Sequence, residues 1–138
     1  METEEKRTAL ITGSSGGIGS AVARYLASKN YHLILMDVNE GANRVLASTL
    51  ATSSEIITIN LANREELRAF CKTIPQYAPE IAFINAGVVY PGEVVNVPEQ
   101  KIDLQLEINL RSAIILNQTC GYDMMSRNRG NIINTVSA

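Results

Sequence analysis

Seven residues, Gly13-Ser14-Ser15-Gly16-Gly17-Ile18-Gly19, follow directly on a short apolar run, Thr8-Ala9-Leu10-Ile11-Thr12. A buried strand that runs into so bare a turn and then resumes with apolar residues at helical spacing leaves few folds open. Ile18, Val22, Tyr25 and Leu26 mark the expected inner face of the helix, Asn30 closes it, and His32 to Met36 forms a second apolar run. A strand, a helix and a strand in about thirty residues is the length of a βαβ unit.

The alternation continues. Helical character over 42–50 is followed by Ile56-Ile57-Thr58-Ile59, then by a polar-faced helix over Arg64–Lys72 with Leu67, Phe70 and Cys71 as its apolar side, then by Ile81-Ala82-Phe83-Ile84. Residues 86–97 read as a loop. Pro98 is placed to open a long helix, since proline is tolerated in a first turn. That helix carries Ile102, Leu106, Leu110, Ile114 and Leu116 to about Asn128, Gly130 ends it, and Ile132–Val136 is the fifth strand. Strands apolar throughout, with helices between them, predict a doubly wound α/β fold with a parallel sheet covered on both faces. Right-handed crossovers favour strand order 3-2-1-4-5, with a ligand crevice where the order reverses between strands 1 and 4. No linker or repeat interrupts the chain, so residues 1–138 read as one domain. A net charge of −2 argues against nucleic acid or a polybasic membrane anchor, and no apolar run approaches a membrane span.

The glycine turn is the first functional signal. From Thr12 it follows T-G-x-x-x-G-x-G, with Gly13, Gly17 and Gly19 suited to a tight turn, a close approach to pyrophosphate, and helix–sheet packing. The free N–H groups and dipole of the following helix favour a phosphate; the alternative is a glycine-rich turn without a ligand. A nucleoside triphosphatase loop would need a lysine that this turn lacks. Asp37 lies 18 residues beyond Gly19, near the offset at which an acid meets a ribose 2′-hydroxyl, which favours NAD over NADP. The alternative for Asp37 is to cap the next loop. Two separated cysteines and one histidine, His32, are too few for a zinc cluster, and no metal is expected.

With these motifs the chain resembles the short-chain dehydrogenase/reductase family over essentially its whole length. Asn85-Ala86-Gly87 is similar to the family's N-A-G, and Asn60-Leu61 resembles its acid-plus-aliphatic adenine contact, with asparagine in place of aspartate. Asn109 matches an asparagine that holds a water in the proton relay, and Ser137 matches the serine that hydrogen-bonds the substrate carbonyl. The resemblance thus implies cofactor contacts at Gly13, Ser14, Ser15, Gly17, Ile18, Gly19, Asp37, Asn60, Leu61, Asn85, Ala86 and Gly87, and catalytic roles for Ser137 and Asn109. It implies hydride exchange between a nicotinamide and a carbonyl or alcohol substrate.

Family members also need a tyrosine with a lysine four residues on, because a phenol titrating near ~10 is a poor base without a neighbouring cation. That pair belongs downstream of the serine, and this sequence ends at Ala138. Tyr25-Leu26-Ala27-Ser28-Lys29 fits the spacing, but it lies in the first helix and reads as a decoy. The expectation is a chain that retains cofactor binding but not turnover. The alternatives are a non-catalytic NAD-binding module and a fold kept only as an interaction surface. A fifth strand left as a sheet edge, with Ile132 and Ile133 facing opposite sides, predicts self-association, as a homodimer. Separated cysteines without a signal peptide point to the cytoplasm.

Overall fold

In the computed structural model, which describes residues 5–137, five parallel strands form one sheet in the order 3-2-1-4-5. The strands are β1 (Thr8–Thr12), β2 (His32–Asp37), β3 (Ser54–Thr58), β4 (Ile81–Ile84) and β5 (Asn131–Asn134). Central β1 pairs Ala9 with Leu33 of β2 on one side and with Ile81 of β4 on the other. The helices between them are α1 (Gly17–Ser28), α2 (Glu40–Thr49), α3 (Arg64–Cys71), the short α4 (Ile74–Tyr77), α5 (Glu99–Gln105) and α6 (Ala113–Arg127).

Alternate residues of each buried strand enter opposite layers, as the pleat requires. Leu10, Ile34, Met36, Ala82 and Ile84 pack with Leu67, Phe70, Ile74, Leu116 and Cys120 from α3, α4 and α6. Ala9, Ile11, Leu33, Leu35 and Phe83 pack with Ala23, Leu26 and Leu46 from α1 and α2. The parallel sheet is therefore covered on both faces at its centre, which is why its strands show no polar alternation. At β5 the cover ends: Ile132 joins the first layer, whereas Ile133 on the other face is half exposed.

Several local expectations are corrected. The buried face of α1 is Gly19, Ala23, Leu26 and Ala27, while Ile18 and Tyr25 point outward. The rotation follows from Gly19, where a Cβ would lie 2.1 Å from the Gly13 carbonyl oxygen; that contact turns the glycine, not Ile18, toward the sheet. Pro98 is the N-cap of α5 rather than a residue of its first turn. Val94–Asn96 forms a 3-10 turn and Ile74–Tyr77 a short helix, neither signalled by periodicity. The long helix is unbroken from Glu99 to Arg127 but passes through a π-helical segment, Leu106–Ser112, between α5 and α6. Asn128, with φ 54, ends it. Gly130 follows with φ +139, and a Cβ there would lie 2.4 Å from Met124 Cγ.

Candidate functional site

A cleft of about 580 Å³ opens at the carboxyl ends of β1 to β4, the crevice position expected of a sheet whose order reverses at β1 and β4. Its walls are Gly13, Ser15 and Gly16 after β1, Met36 to Asn39 at β2, and Ile59 to Leu61 after β3. Asn85 to Val88 after β4, with Leu104 and Ile108 from the long helix, complete it. Eight residues singled out from the sequence line it: Gly13, Ser15, Asp37, Asn60, Leu61, Asn85, Ala86 and Gly87.

The turn into α1 is built from β1 upward. Gly13 has φ +65, and a Cβ on it would come within 2.9 Å of Ala86 Cα, so glycine is needed on both counts. Thr12 is fully buried and its Oγ1 accepts from the N–H groups of Asn85 (2.9 Å) and Ala86 (3.0 Å), which ties the end of β4 to the turn. Sequence reasoning used this threonine only as the start of the glycine motif and gave it no role; its hydroxyl at the end of an apolar strand was the available signal. Asn85 Nδ2 donates to the Thr12 carbonyl, and its Oδ1 accepts from Thr135 Oγ1, so one side chain links the ends of β1, β4 and β5.

Gly16 caps α1 without a side chain, and the first helical turn holds no acid. The amide of Gly16 donates to Gly13 O and that of Ser20 to Gly16 O. Between them the N–H groups of Gly17, Ile18 and Gly19 have no partner among the described residues. Three open donors at the positive end of a twelve-residue helix are the features that favour an anion. A Cβ on Gly17 would meet nothing within 4 Å, so nothing in the protein itself requires that glycine to be bare.

Asp37 stands across the turn. Its Oδ2 accepts from Ser15 N (3.0 Å) and its Oδ1 from Asn39 N (3.0 Å), so it caps the loop and faces the cleft at once. Asn60 lines the cleft, but its Oδ1 accepts from Ala62 N (3.0 Å) in a local turn. Ser14 does not face the cleft: it is fully buried, with Oγ 2.7 Å from Asn43 Oδ1. Gly17 and Ile18 are exposed on α1, and Gly19 is buried beneath it.

Asn109 lies in the π-helical segment. Its Oδ1 accepts from Val88 N (2.7 Å) and its Nδ2 donates to Val88 O (2.7 Å), a strut between the long helix and the loop after β4. The side chain therefore braces the backbone of the loop after β4. Glu107, in the same segment, takes Arg64 in a two-pronged ion pair (2.8 and 2.9 Å) and also meets Arg111. Arg64 beside it holds the Glu107 carboxyl below the usual carboxylate range. Ser137 is exposed, three residues past the end of β5. Tyr25 and Lys29 sit at the far end of α1, away from the cleft, with Lys29 Nζ 5.5 Å from the ring centroid.

The glycine turn, the crevice and the strand order meet in one known pattern, and the family model described as short chain dehydrogenase matches residues 7–138. The chain belongs to the short-chain dehydrogenase family. It is similar to the 3-oxoacyl-(acyl-carrier-protein) reductase FabG of Rickettsia felis, with 35% identity over 133 residues, covering 95% of this chain and 54% of the relative. An NAD-dependent glycerol dehydrogenase of Listeria innocua is 26% identical over 133 residues, covering 95% and 52%. The bulky-bulky ketone specific alcohol dehydrogenase from Comamonas testosteroni superposes with a TM-score of 0.88 at 26% identity, over 93% of this chain and 53% of that one. A metagenomic short-chain oxidoreductase in complex with NADP gives 0.89 at 25% identity, over 96% and 62%. The chain thus spans about half the length of the curated relatives it matches.

Proposed function

We propose that this short-chain dehydrogenase chain binds NAD in the cleft and belongs to an oxidoreductase acting on a carbonyl or alcohol substrate. The observation that carries the reading is the set of unpartnered amides at Gly17, Ile18 and Gly19 beside a cleft with Asp37 at its rim. The residues fit a dinucleotide: the amides take a pyrophosphate, the open space at Gly17 admits it, and the cleft has the volume of a small-molecule site. A bound nicotinamide supplies hydride exchange with the substrate carbon. Asp37 would take the ribose hydroxyls and repel a 2′-phosphate, Leu61 and Asn60 would flank adenine, and Asn85-Ala86-Gly87 would line the inner wall. Asn109 would keep the loop after β4 in place, and Ser137 would donate to the substrate oxygen, where an oriented hydroxyl steadies developing charge. Relatives differ in cofactor, one named NAD-dependent and one solved with NADP, so the preference here rests on the Asp37 carboxylate.

The described residues would bind NAD as a single dinucleotide-binding domain. Its two free thiols, Cys71 and Cys120, suit a reducing cytoplasm; burial pushes the Cys120 thiol up to about 12, with Cys71 and Asp123 adding to the rise. A second reading, a non-catalytic interaction module, draws on the exposed stripe Ile102, Leu106, Leu110 and Ile114 and on the open edge of β5. Either reading includes a homodimer, and a monomer mass by light scattering at tens of micromolar would refute that part.

Calorimetry separates the two readings. Saturable NAD binding, weaker NADP binding, and a narrowed ratio in Asp37→Ala are expected. A flat titration at millimolar cofactor removes the nucleotide reading, and an unchanged ratio removes Asp37 from it.

A further inference from the structure

We propose that Asn43, a residue of α2 that does not line the cleft, is a positioning residue for the glycine turn and so sets the affinity for NAD. The proposal rests on the reading of the cleft given above and concerns how its turn is held.

Asn43 is fully buried, in the second turn of a helix, where asparagine is a poor helix former and an unpaired amide is costly. Both ends of the side chain are used. Nδ2 donates to the Leu35 carbonyl (2.9 Å), near the end of β2, and Oδ1 accepts from Ser14 Oγ (2.7 Å), inside the glycine turn. Ser14 is fully buried too, its hydroxyl also lies 3.2 Å from Met36 O, and its amide donates to the same carbonyl (3.2 Å). One residue on, Ser15 N donates to Asp37 Oδ2 (3.0 Å). Consecutive turn residues are therefore tied to the β2–α2 corner, and only then does the chain enter the amides of Gly17 to Gly19.

An anion site made of backbone has no side-chain rotamers with which to adjust, so its accuracy depends on what fixes the backbone. Asp37 and the Gly13 contacts fix the two flanks of the turn, while the Ser14–Asn43 bond fixes its floor. An apolar residue at position 43 would fill the layer between α2 and β2, but it would leave the Ser14 hydroxyl only the longer contact to Met36 O (3.2 Å) and cut its tie to α2. The asparagine is thus explained by the turn and not by the core.

The test compares wild type, Ser14→Ala, Asn43→Ala and the double variant by NAD calorimetry and by amide hydrogen exchange without cofactor. Each single variant is expected to weaken NAD about three- to tenfold, the range set by one net hydrogen bond, and the double variant no further than the weaker single. Exchange at Ser15 and Gly16 should quicken while the amides of β1 hold. Ser14→Ala removes a single oxygen and carries the test if Asn43→Ala does not fold. Wild-type binding that both variants match, with exchange at Ser15 and Gly16 unchanged or raised only in step with the whole chain, overturns the role of Asn43 alone. A wild type that takes no NAD overturns the reading of the cleft and this role with it.

Discussion

Three helices of this protein start at the carboxyl ends of neighbouring strands, and they begin in opposite ways. Asn39 caps α2, accepting from Ala42 N, and Asn63 caps α3, accepting from Glu65 N and Glu66 N; glutamates fill both first turns. In α1 the cap is Gly16, and no acid follows. Asparagine satisfies orphan amides and acids offset the positive end of the dipole, so α2 and α3 are finished within the chain. At α1 the protein leaves the same charge and the same donors open. The difference shows that the bareness of the turn is local and not a general habit of these helix starts.

The largest effect separates two glycines of that turn. Gly19→Val would put a Cβ 2.1 Å from Gly13 O and 2.9 Å from Ser14 Cα, backbone that cannot swing aside. A loss of roughly 3 kcal/mol, the upper end for overpacking, is expected in urea denaturation. The Cβ of Gly17→Val meets no atom within 4 Å, so the fold should hold while NAD binding disappears in calorimetry. Retained affinity in a folded Gly17→Val would move the pyrophosphate away from α1.

The contrast also marks what could be read beforehand. Strand order and the glycine pattern were legible because a doubly covered parallel sheet writes itself as apolar runs, and a bare turn as glycines. The inner face of α1 was not, because its rotation is set by Gly19 against Gly13, a contact between residues that carry no hydropathy signal. Asn109 was singled out by its resemblance to a family motif, but its two bonds to Val88 depend on how a loop meets a π-helical segment. Asn43 went unnoticed, since only the fold brings it to Ser14; a lone asparagine among the helical residues after Asp37 was the faint trace available.

A milder change would make α1 resemble its neighbours. Gly16 has extended backbone, φ −73 and ψ 174, open to any residue, and a Cβ there would meet only Gly13 O at 3.4 Å. Gly16→Asp should therefore cap α1 as Asn63 caps α3, adding about 0.5–1 kcal/mol of stability. The same carboxylate would occupy the anion position and weaken NAD on the order of tenfold. Opposite signs in thermal stability and calorimetry are the expected outcome; if affinity holds, the open amides are not where the cofactor is gripped.

The smallest effect on NAD comes from taking a finished helix apart. Asn63→Ala removes the bonds to Glu65 N (3.0 Å) and Glu66 N (3.2 Å) and frees Glu66 Oε1 from Asn63 Nδ2 (3.2 Å). The cost should be about 1 kcal/mol in urea denaturation, the ordinary worth of a cap, with NAD affinity unchanged. The variant discriminates because Asn60 and Leu61, on the side of the cleft proposed for adenine, lie just before this cap, and Glu66 Oε2 also accepts from Asn60 N (2.8 Å). If affinity falls with stability, the cap of α3 is holding the adenine wall in shape. The division between a helix that serves the ligand and a helix that serves the fold would then run within α3 and not between α3 and α1.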